Sequence, residues 1–236
     1  MPTETVTSPI QRTTSTSGMS AFIMQVYVWM VAGLSLTAFV GFVLSNMFEN
    51  DYSLAEKVYA FALPLFIVEL LIVVAISARA GKMSYTTSAM LFLVYAAING
   101  LTFSFVFATV APGVIALTFG ATTLTFGAMA AYGYFTSQDL SKFGNIALMM
   151  LVGLLIATVI NIFASSDGLS WIITYLGIGI FVVLTAWDTQ KLKKIYIESE
   201  QNGISPSKFA ITGALQLYLD FINLFYYLLR IFNSRS

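Results

Sequence analysis

The chain contains no cysteine and no histidine. The first absence excludes disulfides, a thiolate nucleophile and iron–sulfur ligation. The second removes the commonest zinc ligand and the commonest general base. It rules out a Ser–His pair and argues against a zinc-dependent intramembrane hydrolase. Any metal site would be built from carboxylates and other oxygens, a set that suits a hard cation such as calcium. Charge is also scarce, at 9% of residues, and eleven basic against eleven acidic side chains leave a formal net charge of zero. No basic patch accompanies the aromatics, so nothing points to nucleic acid.

Apolar surface is abundant instead. Hydrophobic residues make up 58% of the 236 and mean hydropathy is +0.85. A soluble domain of this size has no use for so much; a polytopic membrane protein has, because lipid covers its outside. The aromatics, 15% of the chain, then read as lipid-facing Phe and interfacial Tyr and Trp.

Residues 1–19 are rich in Thr and Ser and lack an apolar core, which predicts a disordered N-terminal tail and not a signal peptide. The remainder, 20–236, is expected to be one membrane domain. Its hydrophobic spans fall at about 21–47, 56–78, 85–110, 113–136 and 143–164, then from near Trp171 past Asp188, then at about 208–232. Each is long enough to cross ~30 Å of hydrocarbon at ~1.5 Å per residue. With the N-terminus inside, Arg12, Arg79, Lys82, Lys142, Lys191, Lys193, Lys194 and Lys208 lie on the inner side, and Lys57, Arg230 and Arg235 on the outer. Eight against three is a positive-inside bias. A six-span alternative with a re-entrant last segment would score ten against one, but that segment has full spanning length and no central breaker. The expected class is therefore all-α and integral to the membrane, with seven helices.

The last span carries a polar stripe. Gly213, Gln216, Asp220, Asn223, Tyr227 and Arg230 recur at alternating steps of three and four, one face of a helix. An ionisable group inside a membrane is costly and turns to protein or water. The stripe predicts a last helix buried in the bundle, with Asp220 at a site and Gln216 and Asn223 beside it as supporting oxygens. The plain alternative is a protonated Asp220 that only bonds neighbouring helices.

Asp188 has two readings. It is an interfacial carboxylate paired with Lys191 three residues on, or it meets Asp220 across consecutive antiparallel helices. Two close carboxylates cannot both ionise cheaply and would titrate as a pair. Glu69, halfway along the second span, is either a packing hydrogen bond or part of an ion path. Arg79 is either a positive-inside anchor or a counter-charge for Asp188. Asn99 and Asn161 read as intramembrane packing polar groups.

Several runs carry a resemblance. Ala214-Leu215-Gln216-Leu217-Tyr218-Leu219-Asp220-Phe221-Ile222-Asn223-Leu224-Phe225, followed by Leu228-Leu229-Arg230-Ile231-Phe232, resembles the C-terminal signature of the Bax inhibitor-1 family. Gln25-Val26-Tyr27-Val28-Trp29-Met30 resembles its opening helix. Phe135-Thr136-Ser137-Gln138-Asp139-Leu140-Ser141 resembles its 4–5 loop, and Trp187-Asp188-Thr189-Gln190-Lys191 its sixth-helix end. Short loops and the missing cysteine suit a bacterial member, hence a multi-pass protein of the bacterial inner membrane.

The resemblance implies a seven-helix bundle whose C-terminal helix is central, wrapped by the other six. It implies a pH-sensitive calcium or cation leak channel closed by an aspartate pair matching Asp188 and Asp220. A basic latch on helix two is matched most nearly by Arg79, with Lys82 competing, and the family's second-helix acid by Glu69. On this reading the protein is not an enzyme and has no cofactor. Calcium is its transported ion, with Asp188 and Asp220 as metal contacts, and its partners are lipid, calcium ions, protons and a possible membrane protein. The alternative is a regulatory subunit that binds another membrane protein such as a protease. An aspartyl intramembrane protease would show a Gly-Xaa-Gly-Asp turn, whereas Asp220 follows Tyr218-Leu219; a retinal protein needs a lysine within the last helix, and Lys208 stands only at its start.

Overall fold

A computed structural model describes residues 16–234, and among them the chain is helical throughout with no strand. The order is α1 (Thr16–Asn50), α2 (Tyr52–Ala60), α3 (Ala62–Ala78), α4 (Tyr85–Thr109), α5 (Pro112–Phe135), α6 (Ser141–Ala164), α7 (Asp167–Gln201), a 3-10 turn at Pro206–Phe209, and α8 (Ala210–Asn233). Most of the expected tail, residues 1–15, lies outside the described residues. Its end is already helix. The described part of α1 begins at Thr16, and Met19 in its first turn packs against the core.

Among the described residues, six helices are long and apolar enough to cross a membrane: α1, α4, α5, α6, α7 and α8 with its leading turn. The expected second span is not one helix. α2 and α3 meet at Phe61 with a bend of 53°, and taken together they make the candidate for a seventh crossing. The cause is Pro64 in the first turn of α3. It has no N–H to give to the carbonyl four residues back, so the ladder cannot run through from α2, while a first helical turn accommodates it. The interrupted segment is thus the second, and the last segment is an unbroken helix.

Within a bilayer, helix association rests on close packing and hydrogen bonds more than on the hydrophobic effect. Small residues make the closest approaches. Gly133 of α5 lies against the backbone of Ala186 on α7, and Gly144 of α6 against the Trp187 ring. Gly177 faces Tyr227, and Gly213 faces Leu192 and Val26; the matched descent of one number and rise of the other shows that α7 and α8 run antiparallel.

α8 packs mainly on α7, α1 and α5, and more lightly on α4 and α3, while α6 sits outside on α7. Leu215, Leu217, Tyr218 and Leu224 of α8 are fully buried. These lie off the polar stripe, so α8 is enclosed on most of its circumference and not on one face alone. Along the stripe, burial falls from Gly213 and Asp220, through half-buried Gln216, Asn223 and Tyr227, to exposed Arg230. α7, at 35 residues, is longer than a crossing requires. Its last turns carry Lys191, Lys193, Lys194, Glu198 and Glu200.

Candidate functional site: a buried carboxyl pair

Asp188 on α7 is 8% exposed and Asp220 on α8 3%. Their side chains are hydrogen-bond partners. A carboxylate only accepts, so this bond exists when one of the two carries a proton. Asp188 Oδ1 and Asp220 Oδ2 are buried and otherwise without a partner. The site is therefore two buried carboxyl groups facing each other, with no N–H or O–H of another residue reaching Asp188 Oδ1 or Asp220 Oδ2.

One cation acts on both, and it is Lys191. Three residues after Asp188, it lies on the same helical face, with its ammonium 5.0 Å from the centre of the Trp187 ring. Arg79 is not there. It caps the C-terminus of α3, exposed, and makes no ion pair among the described residues. The two sequence readings of Asp188 are thus not exclusive, for it meets both Asp220 and the charge of Lys191.

The surroundings of α7 fix the pair. Thr189 donates to the Thr185 carbonyl at 2.8 Å and lies beside the Tyr27 hydroxyl of α1. Gln190 clamps the loop between α5 and α6: its Oε1 accepts from Leu140 N at 2.8 Å and its Nε2 donates to the Gln138 carbonyl at 2.7 Å. Lys193 donates to the Tyr134 carbonyl, and Lys194 pairs with Asp139 at 2.8 Å. Asp139, on the surface, is held at about 2, below its ordinary 3.8, first by the Lys194 hydrogen bond and then by that of Ser141. Gln190, Lys193 and Tyr27 were not singled out as site residues. The spacing of Gln190 and Lys193 along α7 is visible in the sequence, but the partners of these two lie fifty residues away or more.

Glu69 is in a different place. It is buried on α3 with Oε1 unpartnered, and its charge bears on Tyr95 and Tyr218 and not on the aspartates. Asn99 Nδ2 donates to the Tyr95 hydroxyl at 3.4 Å, and Asn99 Oδ1 is also unpartnered. Thr37 donates to the Ala96 carbonyl at 2.8 Å, so the 2.6 Å contact of Tyr218 with Thr37 has the tyrosine as donor. Asn223 is occupied with the Leu219 carbonyl, and Gln216 makes no hydrogen bond among the described residues. Neither turns a side chain to the aspartates as a further bonded oxygen. Asn161 is not intramembrane glue but a cap, accepting from Ser166 N at the end of α6.

No group of three or more acidic residues able to hold a metal occurs among the described residues. Two aspartates alone fall short of the six to eight oxygens calcium takes.

Residues 19–236 match the family described as Inhibitor of apoptosis-promoting Bax1. The chain belongs to the Bax inhibitor-1 family. It is 43% identical over 223 residues to inner membrane protein YbhL of Escherichia coli K12, covering 93% of this chain and 94% of that protein. It is 39% identical over 215 residues to a protein of Deinococcus radiodurans, covering 91% of each. It is 36% identical to protein RP147 of Rickettsia prowazekii over 99% of this chain and 98% of that one. These near full-length matches and the apolar spans make this Bax inhibitor-1 family member a multi-pass protein of the bacterial inner membrane.

Proposed function

We propose that the protein is a proton-gated cation leak channel, with calcium as the transported ion and no enzymatic activity. The observation that carries this reading is the Asp188–Asp220 contact, where two buried carboxyls on neighbouring helices meet with no other donor at Asp188 Oδ1 or Asp220 Oδ2. We take the bent α2–α3 pair as a seventh crossing and α8 as the central helix, consistent with the positive-inside asymmetry.

With one proton between them the aspartates tie α7 to α8 and the path is shut. When that proton leaves, two unit charges ~4 Å apart at an effective dielectric of ~20 repel by about 4 kcal/mol. That biases a closed–open equilibrium by about a thousandfold. The same event frees carboxylate oxygens for a passing cation. Lys191 supplies the local counter-charge in the role first expected of Arg79. Glu69, with Asn99 beside it, offers unpartnered oxygens elsewhere in the apolar layer, a second polar station for a cation.

The test is calcium flux into liposomes that hold only this protein, over a pH series. Flux that rises as the pair deprotonates supports the channel. A protein inert alone at every pH would favour the alternative, a subunit that regulates another membrane protein.

A further inference from the structure

A lateral cleft of about 650 Å³ opens between α1 and α5. Both helices pack on α8 but barely on each other. The hollow exists because the α5 wall is built of Gly127, Ala130 and Ala131; a side chain at Gly127 would meet nothing within 4 Å. Its floor is the edge-to-face pair Phe126 and Phe221, 5.5 Å between ring centres. Along α1 it runs from Ile23 to Ala38, about 22 Å at ~1.5 Å per residue. Half of a ~30 Å hydrocarbon layer is about 15 Å, so the cleft accepts a chain from one leaflet along its whole length. No acidic or basic side chain lines it, so water would find few partners there, and an empty hollow would forfeit dispersion contacts.

One end is charged. Tyr134 lines that end, and the Lys193 ammonium sits 5.5 Å from the centre of its ring. Lys193 spends one N–H on the Tyr134 carbonyl and keeps two for another acceptor. The charge asymmetry places this end on the inner side. A neighbouring hollow of about 550 Å³ continues past Ala38 and Phe119 toward the other end, where no lysine or arginine lines it.

We propose that the α1–α5 cleft is a binding site for an anionic phospholipid of the inner leaflet, one acyl chain lying against Phe126 and Phe221 and the phosphate meeting Lys193. The site is next to the aspartates. Tyr27, which lines the cleft, lies beside Thr189, the neighbour of Asp188.

The test is native mass spectrometry of the detergent-purified protein. It is equilibrated with equal phosphatidylglycerol and phosphatidylethanolamine of identical chains and then washed with lipid-free detergent. Wild type should retain one lipid, phosphatidylglycerol favoured about fivefold, the bias one lysine gives near a membrane surface. Gly127→Phe should lose it. Lys193→Gln should keep a lipid but lose the preference. Gly153→Phe, on α6 where a side chain also meets open space, is the control and should behave as wild type. No retained lipid in wild type overturns the proposal. So does equal retention by Gly127→Phe and Gly153→Phe, which means annular lipid only. A wild-type dimer that Gly127→Phe dissolves would assign the cleft to a second copy instead. Should Gly127→Phe not purify as a single species, Lys193→Gln decides, and an unchanged headgroup preference overturns the proposal.

Discussion

Asp188 of α7 and Asp220 of α8 face each other as hydrogen-bond partners across two antiparallel helices, while Asp188 Oδ1 and Asp220 Oδ2 remain buried without a donor. A bond that exists only with a proton in place is a contact that changes sign with pH. Its neighbours decide how that change is tuned, and they can be removed one at a time.

Lys191 is the cation at the pair, and Arg79 stands exposed at the end of α3. A positive charge favours the deprotonated pair, so its loss makes opening harder. Lys191→Gln should move the midpoint of the pH–flux curve upward by about half to one pH unit, with partial exposure of Lys191 limiting the size. Lys191→Arg should restore it. Arg79→Ala should leave the midpoint in place. A midpoint shift in Arg79→Ala and none in Lys191→Gln would return the latch to Arg79.

Asp139 is the nearby carboxylate that does not sense neutral pH. Its value of about 2 is below the ordinary 3.8, so the Lys194 contact contributes above the unfolded value and is lost only as pH falls toward about 2. Asp139→Asn should therefore leave the pH–flux curve unmoved near neutrality. A changed midpoint would show that the loop clamped by Gln190 and Lys194 takes part in gating.

Gly133 tests the α5–α7 contact. A methyl there would enter the Ala186 carbonyl, backbone that cannot swing aside. Gly133→Ala should cost about 1–3 kcal/mol and lower the thermal midpoint in detergent. Gly127→Ala, which meets open space, should be neutral or slightly stabilising by helix propensity. Equal melting of the two variants would argue that α5 and α7 do not approach so closely.

Much of the architecture is legible in the chain because membrane spans announce themselves by length and apolarity. The expected spans at about 85–110, 113–136 and 143–164 fall within two residues of α4, α5 and α6, because each is an apolar run closed by a short break. The break at Phe61 is harder, since the segment around Pro64 stays apolar on both sides and only the missing N–H interrupts it. The aspartates were legible because an ionisable group in an apolar span is costly wherever it sits. Lys191 was legible as a neighbour of Asp188 but not as the partner of Asp220. Tyr218 and Thr37 were not legible, because a tyrosine or threonine in a span costs little and announces nothing. The clamp of Gln190 on residues 138 and 140 is a tertiary contact that no local pattern encodes.

Orientation follows from the basic asymmetry and from counting the α2–α3 pair as a crossing. The chain has no native cysteine, so Thr5→Cys and Ser234→Cys can be labelled singly in intact cells and in inverted vesicles. Seven crossings require opposite sides, with residue 5 inside. Labelling of both from the inner side would mean that α2 and α3 dip into the membrane and return.

The central claim is that the shared proton of the aspartate pair holds the closed state, and Asp220→Asn tests it most directly. Asn keeps the size and a hydrogen bond but cannot ionise. Calcium flux should be measured in liposomes across a pH series, on protein first shown to be monodisperse in detergent. Wild type should leak more as pH rises, and Asp220→Asn should give a flat curve. Asp188→Asn should do the same, and the double variant should add little. A well-folded Asp220→Asn protein with the wild-type pH–flux curve would contradict the account.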